Sequence, residues 1–146
     1  MTKNEQKNVV SSRHQYRLFT VDNVLFDIPS NVYDENAVNG WFEAIIQEGR
    51  KFDKWVIFSI PDSSLTISAS AATNLGERLP QLRQHGCIGI LLLATHTNAK
   101  IFHHSVKATP ADFDFIVSES MEFLCQQAEQ LLGEQGRLNI FNVHQR

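Results

Sequence analysis

The chain has 146 residues, of which 42% are hydrophobic and 20% are charged, and this length and composition fit one globular domain. Its formal net charge of −3 argues against a nucleic-acid partner, because such proteins usually present a basic face. The first residues are polar, and the apolar run over residues 88–94 is too short to span a bilayer. We therefore expect a cytoplasmic protein with no membrane span.

The chain is predicted to hold one domain between two tails. Residues 1–14 are polar and aperiodic, so we expect a flexible N-terminal tail. One α/β domain should follow over residues 15–135, with a C-terminal tail over 136–146. Cys87 and Cys125 each lie in an apolar stretch and are interpreted as buried core residues, without a need for a disulfide.

The first predicted element is a β-hairpin. Residues 16–21 and 24–28 are β-prone runs, and the two residues between them, Asp22 and Asn23, are typical of a tight turn. Pro29 is expected to end the pairing, since it has no backbone N–H to donate.

A helix and a buried strand are predicted next. Asp34 is expected to cap the helix, and Gly49 to end it in the left-handed conformation. One apolar stripe follows the helical spacing: Val38, Trp41, Phe42, Ile45 and Ile46. Residues 55–58 are apolar throughout, which is typical of a strand covered on both faces.

The middle of the chain predicts a second helix and the most buried strand. Ser68 or Ser70 should cap the helix, Pro80 should kink or split it, and Gly86 should end it. Residues 88–94 then form the strand.

The last third predicts a short helix, an edge strand and a final helix. Thr97 is expected to cap the short helix, and residues 113–117 alternate as an edge strand does. Ser118 should cap the final helix and Gly133 should end it, while residues 138–143 have the pattern of a further strand.

The predicted fold is therefore α/β with the order ββαβαβαβα, a mostly parallel sheet and flanking helices. This order, with these lengths, resembles the STAS domain, which bacterial anti-sigma factor antagonists and the cytoplasmic domains of sulfate transporters share. The resemblance runs from Tyr16 to about Leu132 and is closest to stand-alone bacterial STAS-like proteins. The stretches that carry it are residues 36–42, 54–59, 79–86 leading into 87–94, and 113–124.

In the phosphorylated members of that family, an Asp-Ser-Ser-Gly-like motif begins the second helix, and its serine accepts phosphate from a partner kinase. The corresponding stretch here, residues 66–71, contains Ser68 and Ser70 but no such motif. The letters Asp62-Ser63-Ser64 occur several residues earlier. The resemblance thus implies the fold and the binding of a partner or small ligand, and it does not by itself assign a phosphorylated serine.

Two polar loops are expected at the carboxyl edge of the sheet, where open α/β sheets bind ligands. Both lead into helix N-termini, which favour anions. The candidate binding or phospho-acceptor residues are Asp62, Ser63, Ser64, Ser68, Ser70, Thr95, His96 and Thr97. The alternative is that these side chains only cap helices and close turns.

An apolar pocket is the second candidate site. We expect Trp41, Phe42 and Phe102 to roof it, although large aromatic residues at such positions also serve as lids of a core. The resemblance implies a lipid or a nucleotide as the ligand, since STAS-like members are reported to bind both.

No metal site, cofactor or enzyme is expected. Adjacent His103 and His104 point about 100° apart on a helix, which does not suit one shared ion. A hydrolase can be assembled from Ser63, His96 and Asp62, but no Gly-x-Ser-x-Gly elbow presents the serine.

The functional hypotheses are ranked accordingly. A non-catalytic regulatory or protein-interaction module comes first, a small-ligand binding protein second and a small hydrolase third. A homodimer through the edge strand at residues 113–117 is also compatible with the pattern.

Overall fold

A mixed sheet with helices packed on both faces forms the core of the protein. The computed structural model describes residues 9–10, 16–95, 97, 100, 104 and 109–133. The strands are β1 (Val9–Val10), β2 (Tyr16–Val21), β3 (Val24–Pro29), β4 (Val32–Tyr33), β5 (Trp55–Ser59), β6 (Thr66–Ile67), β7 (Cys87–Leu93) and β8 (Asp114–Ser118). The helices among the described residues are α1 (Glu35–Gly49), α2 (Ala69–Glu77), α3 (Leu79–Gln84) and α4 (Met121–Leu132).

The main sheet has the strand order β1-β2-β3-β5-β7-β8. Its first two pairings are antiparallel, and its last three are parallel. The prediction of an α/β fold with a mostly parallel sheet is confirmed. β4 and β6 pair separately, as a parallel two-stranded ribbon that sequence reasoning missed.

The β2–β3 hairpin is confirmed, with Val21 opposite Val24. Asp22 makes the reversal with a φ of +51°, a conformation that Asp tolerates better than most residues. The pairing ends at Pro29, as predicted, although Pro29 is itself the last residue of β3 and lies opposite Tyr16. Its carbonyl accepts a hydrogen bond from the Asp62 N–H at 2.8 Å. A strand end tolerates the missing N–H of a proline.

The two faces of the parallel strands bury alternate residues. Leu25, Ile57 and Ile90 pack towards α1, α2 and α3. Phe26, Phe58 and Leu91 pack towards α4 on the other face. The two free cysteines are also divided between the faces, with Cys87 in the first cluster and Cys125 in the second. The predicted burial of both cysteines is confirmed.

Helix α1 begins as predicted and ends differently. The Asp34 carboxylate accepts a hydrogen bond from the Ala37 N–H at 2.9 Å, which caps the helix. The predicted apolar stripe is buried throughout. Gly49, however, is the last residue of the helix rather than a left-handed residue beyond it. A Cβ at this position would overlap the six-membered ring of Trp55, so the glycine makes room for the indole.

Helices α2 and α3 confirm the predicted break at Pro80, which lies in the first turn of α3. The Ser68 hydroxyl caps α2 by accepting a hydrogen bond from the Ala71 N–H at 3.1 Å. Gly86 follows α3 with a φ of +97° and turns the chain into β7.

The edge strand and the final helix are confirmed, with one correction at the cap. β8 lies at the edge of the sheet beside β7, and residues 115–118 of this strand are half-buried. Ser118 is the last residue of β8 and does not cap α4. The cap is Ser120, whose hydroxyl accepts a hydrogen bond from the Phe123 N–H at 3.1 Å. Gly133 ends α4 as predicted.

Several predictions fall on residues outside the described ranges. Positions 97, 100 and 104 are helical, so Thr97 lies inside the predicted short helix rather than before it. The strand predicted at residues 138–143 and most of both predicted tails lie outside the described residues. Val9–Val10, within the predicted N-terminal tail, pairs with Leu18 and Arg17 of β2. None of the described helices has the length and apolar character needed to cross a bilayer.

Replacement of Gly49 tests the contact between α1 and β5. Alanine is the better helix former by about 1 kcal/mol, yet Gly49→Ala should lower the free energy of unfolding by about 2 kcal/mol, because its Cβ displaces the Trp55 ring. Urea unfolding measures the difference. The control is Gln47→Ala at an exposed position of α1, with an expected change within about 0.5 kcal/mol. A Gly49→Ala variant that is more stable than the wild type would contradict the packing.

Candidate functional site at the carboxyl edge of the sheet

The carboxyl ends of β3, β5 and β7 meet at one edge of the sheet, because the three strands run parallel. Asp27 of β3 and Ser59 of β5 are opposite each other there. The Ser59 hydroxyl donates a hydrogen bond to Oδ2 of Asp27 at 3.2 Å. These are the buried polar side chains of the described ranges, and they occur as a pair.

A cavity of about 50 Å³ lies in front of this pair, on the face covered by α1 and α2. Its floor comes from strand ends, and its roof from α1, α2 and the chain between β5 and α2. The lining residues are Asp27, Pro29, Tyr33, Trp41, Ile57, Ser59, Pro61, Leu65, Ile67, Leu75, Ile90 and Leu92. The cavity is therefore an apolar chamber with a carboxyl group at one wall.

The Asp27 carboxyl is unusual in its surroundings. Its side chain is only 2% exposed, and among the described residues no hydrogen-bond partner is found for Oδ1. Burial raises the pKa of Asp27 from its ordinary value of 3.8 to about 7, while side-chain hydrogen bonds from Trp41 and Ser59 to this carboxyl oppose part of the rise. A carboxyl group with a pKa near neutrality, in a cavity at this edge of a sheet, marks a candidate site.

Sequence reasoning missed Asp27, although the sequence carries a signal for it. The residue stands in the run Val-Leu-Phe-Asp-Ile-Pro of β3, as a single acid among apolar neighbours. A strand that lies between two others in a sheet covered by helices is buried on both faces. An acidic side chain is almost never buried there unless it has a partner. The hairpin prediction placed residues 24–28 correctly and did not single out Asp27.

The two-stranded ribbon β4–β6 forms part of the roof. Its register pairs Val32 with Thr66 and Tyr33 with Ile67. Tyr33 and Ile67 line the cavity, while Val32 is 71% exposed on the outer face. Backbone bonds hold the ribbon, including Thr66 N–H to Asn31 O at 2.8 Å and Ser68 N–H to Tyr33 O at 3.2 Å. One short segment thus carries both the roof of the cavity and an outer surface.

The predicted serines lie on that outer surface and not in the cavity. Ser68 and Ser70 are exposed at the start of α2, with their hydroxyl oxygens 3.4 Å apart. Ser64 donates through its backbone N–H to the Asp62 carboxylate at 2.8 Å, and its hydroxyl accepts from the Asn31 N–H at 3.1 Å. Asp62, Ser63 and Ser64 are all exposed. Ser68 therefore caps a helix and Ser64 closes a turn, which are the roles that the alternative interpretation of the sequence gave them. Both side chains are also exposed to solvent.

The described residues of the second predicted loop do not line the cavity. Thr95 and Thr97 are exposed beyond the end of β7, and neither lines the chamber. His96 and Asn98 lie outside the described residues, so the grouping of Ser63 with His96 stays a prediction. Near this loop, Lys100 forms an ion pair with Glu119 at 2.9 Å between exposed side chains.

The three residues predicted to roof an apolar pocket lie in different settings. Trp41 lines the cavity. Phe42 is fully buried beside it, with an edge-to-face contact to Trp41 at 5.1 Å between ring centroids, and the Arg78 guanidinium lies 4.2 Å from the Phe42 ring centre. Phe42 does not line the cavity, and Phe102 lies outside the described residues. At about 50 Å³ the chamber is also far smaller than the roughly 300–1,000 Å³ of typical ligand pockets.

The two cysteines are buried and unreactive. Burial raises the pKa of Cys87 to about 12 and that of Cys125 to about 11, so both remain thiols at neutral pH. Within the part of the chain that the structure describes, no three His, Cys, Asp or Glu side chains come together as a metal site would require.

No protein-family model matches the chain, and a search of curated proteins finds no relative.

The buried carboxyl makes a specific prediction about stability and pH. Below pH 4, Asp27 is protonated in the folded and the unfolded chain. As the pH rises towards 7, the unfolded chain releases this proton and the folded chain keeps it. The free energy of unfolding should then fall, by about 4 kcal/mol in total for a pKa that rises by about three units, and level off above pH 7.

Asp27→Asn removes this titration. The stability of the wild type relative to Asp27→Asn should drop by roughly 2 kcal/mol between pH 5 and pH 8, as measured by urea unfolding at each pH. Asp114→Asn, which changes an exposed aspartate of β8, is the control and should follow the wild type. Wild-type and Asp27→Asn stabilities that stay parallel over this range would show that Asp27 is not buried as described.

Proposed function

We propose that this chain is a non-catalytic regulatory module of the STAS-like type, and that it works by binding another protein. The order of its elements supports the proposal, since an antiparallel hairpin is followed by parallel strands with helices on both faces. This is the order on which the resemblance to STAS domains rests. A fold alone does not define a function, so the interaction surface carries the argument.

The observation that carries it is an exposed apolar residue on an ordered, hydroxyl-rich ribbon. Val32 is 71% exposed, more than any other large apolar side chain of the described residues. Thr66 is its neighbour across the ribbon, and Ser64 and Ser68 flank Thr66 at the alternate positions. We call Val32, Ser64, Thr66, Ser68 and Ser70 the ribbon patch. An apolar side chain among hydrogen-bonding groups, on a preordered backbone, is the composition of a protein contact.

The charge around the ribbon patch indicates what kind of partner fits it. Residues 18–49 and 55–77 contain no lysine or arginine, and these segments form the ribbon, α1 and α2. Asp34, Glu35 and Asp62 are exposed on them. The partner is accordingly a protein with a basic surface, since complementary charge steers association and selects against wrong partners.

Ser68 and Ser70 give this surface a means of regulation. Both lie at the start of α2, where the helix dipole favours added negative charge. A phosphate on either serine would be electrostatically accepted by the helix and would make the surface more acidic. Modification of these serines would therefore strengthen the attraction for a basic partner.

Replacement of Val32 tests the patch. The full-length chain carries an affinity tag and is incubated with a lysate of the source cell, and bound proteins are quantified by mass spectrometry. Val32→Lys removes the apolar contact and adds a positive charge, so retention of the partner should fall at least about tenfold, as for an interface hot spot. Retention by the wild type should also weaken as the salt concentration rises.

Phe123→Lys is the matched control for Val32→Lys. Phe123 is the other exposed large apolar residue of the described chain, 42% exposed on α4, away from the ribbon. Its replacement makes the same chemical change and should leave retention unchanged. Equal retention by Val32→Lys and Phe123→Lys, or a bound protein with an acidic contact surface, would contradict the proposal.

The serine prediction uses a pair of isosteric variants. Ser68→Asp with Ser70→Asp should raise the affinity for the same partner a few-fold, whereas Ser68→Asn with Ser70→Asn should not. Both pairs preserve the helix cap, because Asp and Asn are as good at the N-cap as Ser. The affinities are measured by titration of the purified partner. Unchanged affinity in the aspartate pair would remove the serines from the interaction surface.

A further inference from the structure

The ribbon β4–β6 is a short strap over the Asp27 cavity. Its ladder consists of two residue pairs, Val32 with Thr66 and Tyr33 with Ile67. Helix α1 roofs the same cavity with 15 residues and a buried apolar stripe. Short segments with exposed backbone hydrogen bonds open at a lower free energy than helices anchored in the core. Among the described elements of the roof, the ribbon is therefore the one that we expect to open first.

The closed ribbon keeps the Asp27 carboxyl away from water. Asp27 is only 2% exposed, and Tyr33 and Ile67 of the ribbon line the same cavity. An ionised carboxylate is far more costly to bury than a neutral carboxylic acid. The protonated form of Asp27 therefore suits the closed ribbon, whereas the ionised form gains hydration when the ribbon opens. The cavity of about 50 Å³ exceeds the space that one water needs, so water has room to enter once the roof moves.

The groups that face Asp27 come from each element packed around it. Ser59 of β5 donates to Oδ2 at 3.2 Å, and Trp41 of α1 also hydrogen-bonds to the carboxyl. The ribbon contributes Tyr33, while α2 and β7 contribute aliphatic side chains. Tyrosine side chains ionise only well above pH 8. Asp27 is thus the group of the described lining whose charge changes between pH 5 and pH 8, since burial raises its pKa to about 7.

We propose that the ribbon β4–β6 is a pH-sensitive latch, which closes over the protonated Asp27 carboxyl and opens when that carboxyl ionises. The closed form holds the proton up to about pH 7, whereas the hydrated carboxyl of the open form loses it at about the ordinary value of 3.8. Between these two values the open form binds fewer protons than the closed form. The equilibrium constant for opening therefore rises with pH in this range and levels off above pH 7.

The latch also gives the ribbon patch a means of regulation. Val32 and Thr66 are neighbours across the ribbon, and both are exposed on its outer side. Opening separates the two strands and takes this surface apart, so a rise in pH weakens the binding of a protein partner. This regulatory role rests on the proposed function, whereas the latch itself requires no partner.

The experiment measures amide hydrogen exchange by NMR on the ¹⁵N-labelled full-length chain, in the absence of any partner. Each exchange rate between pH 5 and pH 8 is divided by the intrinsic rate at that pH, which gives the opening constant of each amide. The reporters are the N–H groups of Thr66 and Ser68, which donate to Asn31 O at 2.8 Å and Tyr33 O at 3.2 Å. Their opening constants should rise at least about tenfold from pH 5 to pH 8.

Other amides separate local opening from global unfolding. The Phe52 and Gly86 N–H groups are bonded at the opposite edge of the sheet, where local opening leaves Asp27 buried. Their opening constants should not change with pH. The Val56 N–H lies in the buried strand β5 and reports global unfolding. Its opening constant should stay below that of Thr66 at every pH.

Asp27→Asn keeps the shape of the side chain and removes its charge, so the opening constants of Thr66 and Ser68 should no longer depend on pH. Asp114→Asn, at an exposed position, should behave as the wild type does. Should Asp27→Asn fail to fold, the comparison of Thr66 with Val56 in the wild type decides the question.

The latch is overturned if the opening constants of Thr66 and Ser68 stay constant from pH 5 to pH 8. It is also overturned if they equal that of Val56 at every pH, because Asp27 would then become hydrated only by global unfolding. Either result leaves the effect of Val32→Lys on partner retention to be judged by itself, so failure of the latch is distinguishable from failure of the protein-binding role.

Discussion

β5 is buried along its whole length, between two parallel neighbours and beneath helices on both faces. The rest of the structure depends on this constraint. Because β3, β5 and β7 run in one direction, their carboxyl ends share one edge, and each following loop leaves the core there. The ribbon β4–β6 then closes this edge, since the chain after β3 and the chain after β5 pair with each other.

Asp27 and Ser59 lie at the carboxyl edge that this arrangement creates. They face the same side as the apolar residues under α1 and α2, at the point where the strands end and the packing leaves a cavity. A carboxyl group there is removed from water without a full set of partners. Natural proteins keep such groups chiefly where they serve a site. The same ribbon that roofs the cavity presents Val32 and the serines outwards, so two candidate sites share one structural element.

Local features of the fold were predictable, and features made by distant contacts were not. The caps at Asp34 and Ser68 and the break at Pro80 depend on neighbouring residues, and the structure has them where the sequence predicted them. Gly49 was misread because its role depends on the Trp55 ring from the next strand. Ser118 was predicted to cap the final helix, whereas Ser120 does so, because the end of β8 is set by pairing with β7.

The same distinction separates the two candidate sites. The exposed serines were foreseen, because hydroxyls before a helix are a local pattern. The Asp27 cavity is formed where strands, the ribbon β4–β6 and two helices come together, and no local sequence pattern encodes that arrangement. Its one signal in the sequence is an aspartate within an otherwise apolar strand. The residue composition of β3 was thus the best available signal, and it could indicate burial without indicating the cavity.

The most direct measurement is the titration of the Asp27 side-chain carboxyl by ¹³C NMR on the folded wild-type chain. The carboxyl carbon reports the protonation of this one residue, independently of stability and of any partner. The structure predicts a midpoint about three units above the ordinary 3.8, near pH 7, because the group is buried. A midpoint near 4 would mean that water reaches Asp27 freely, and it would contradict the buried site on which this account depends.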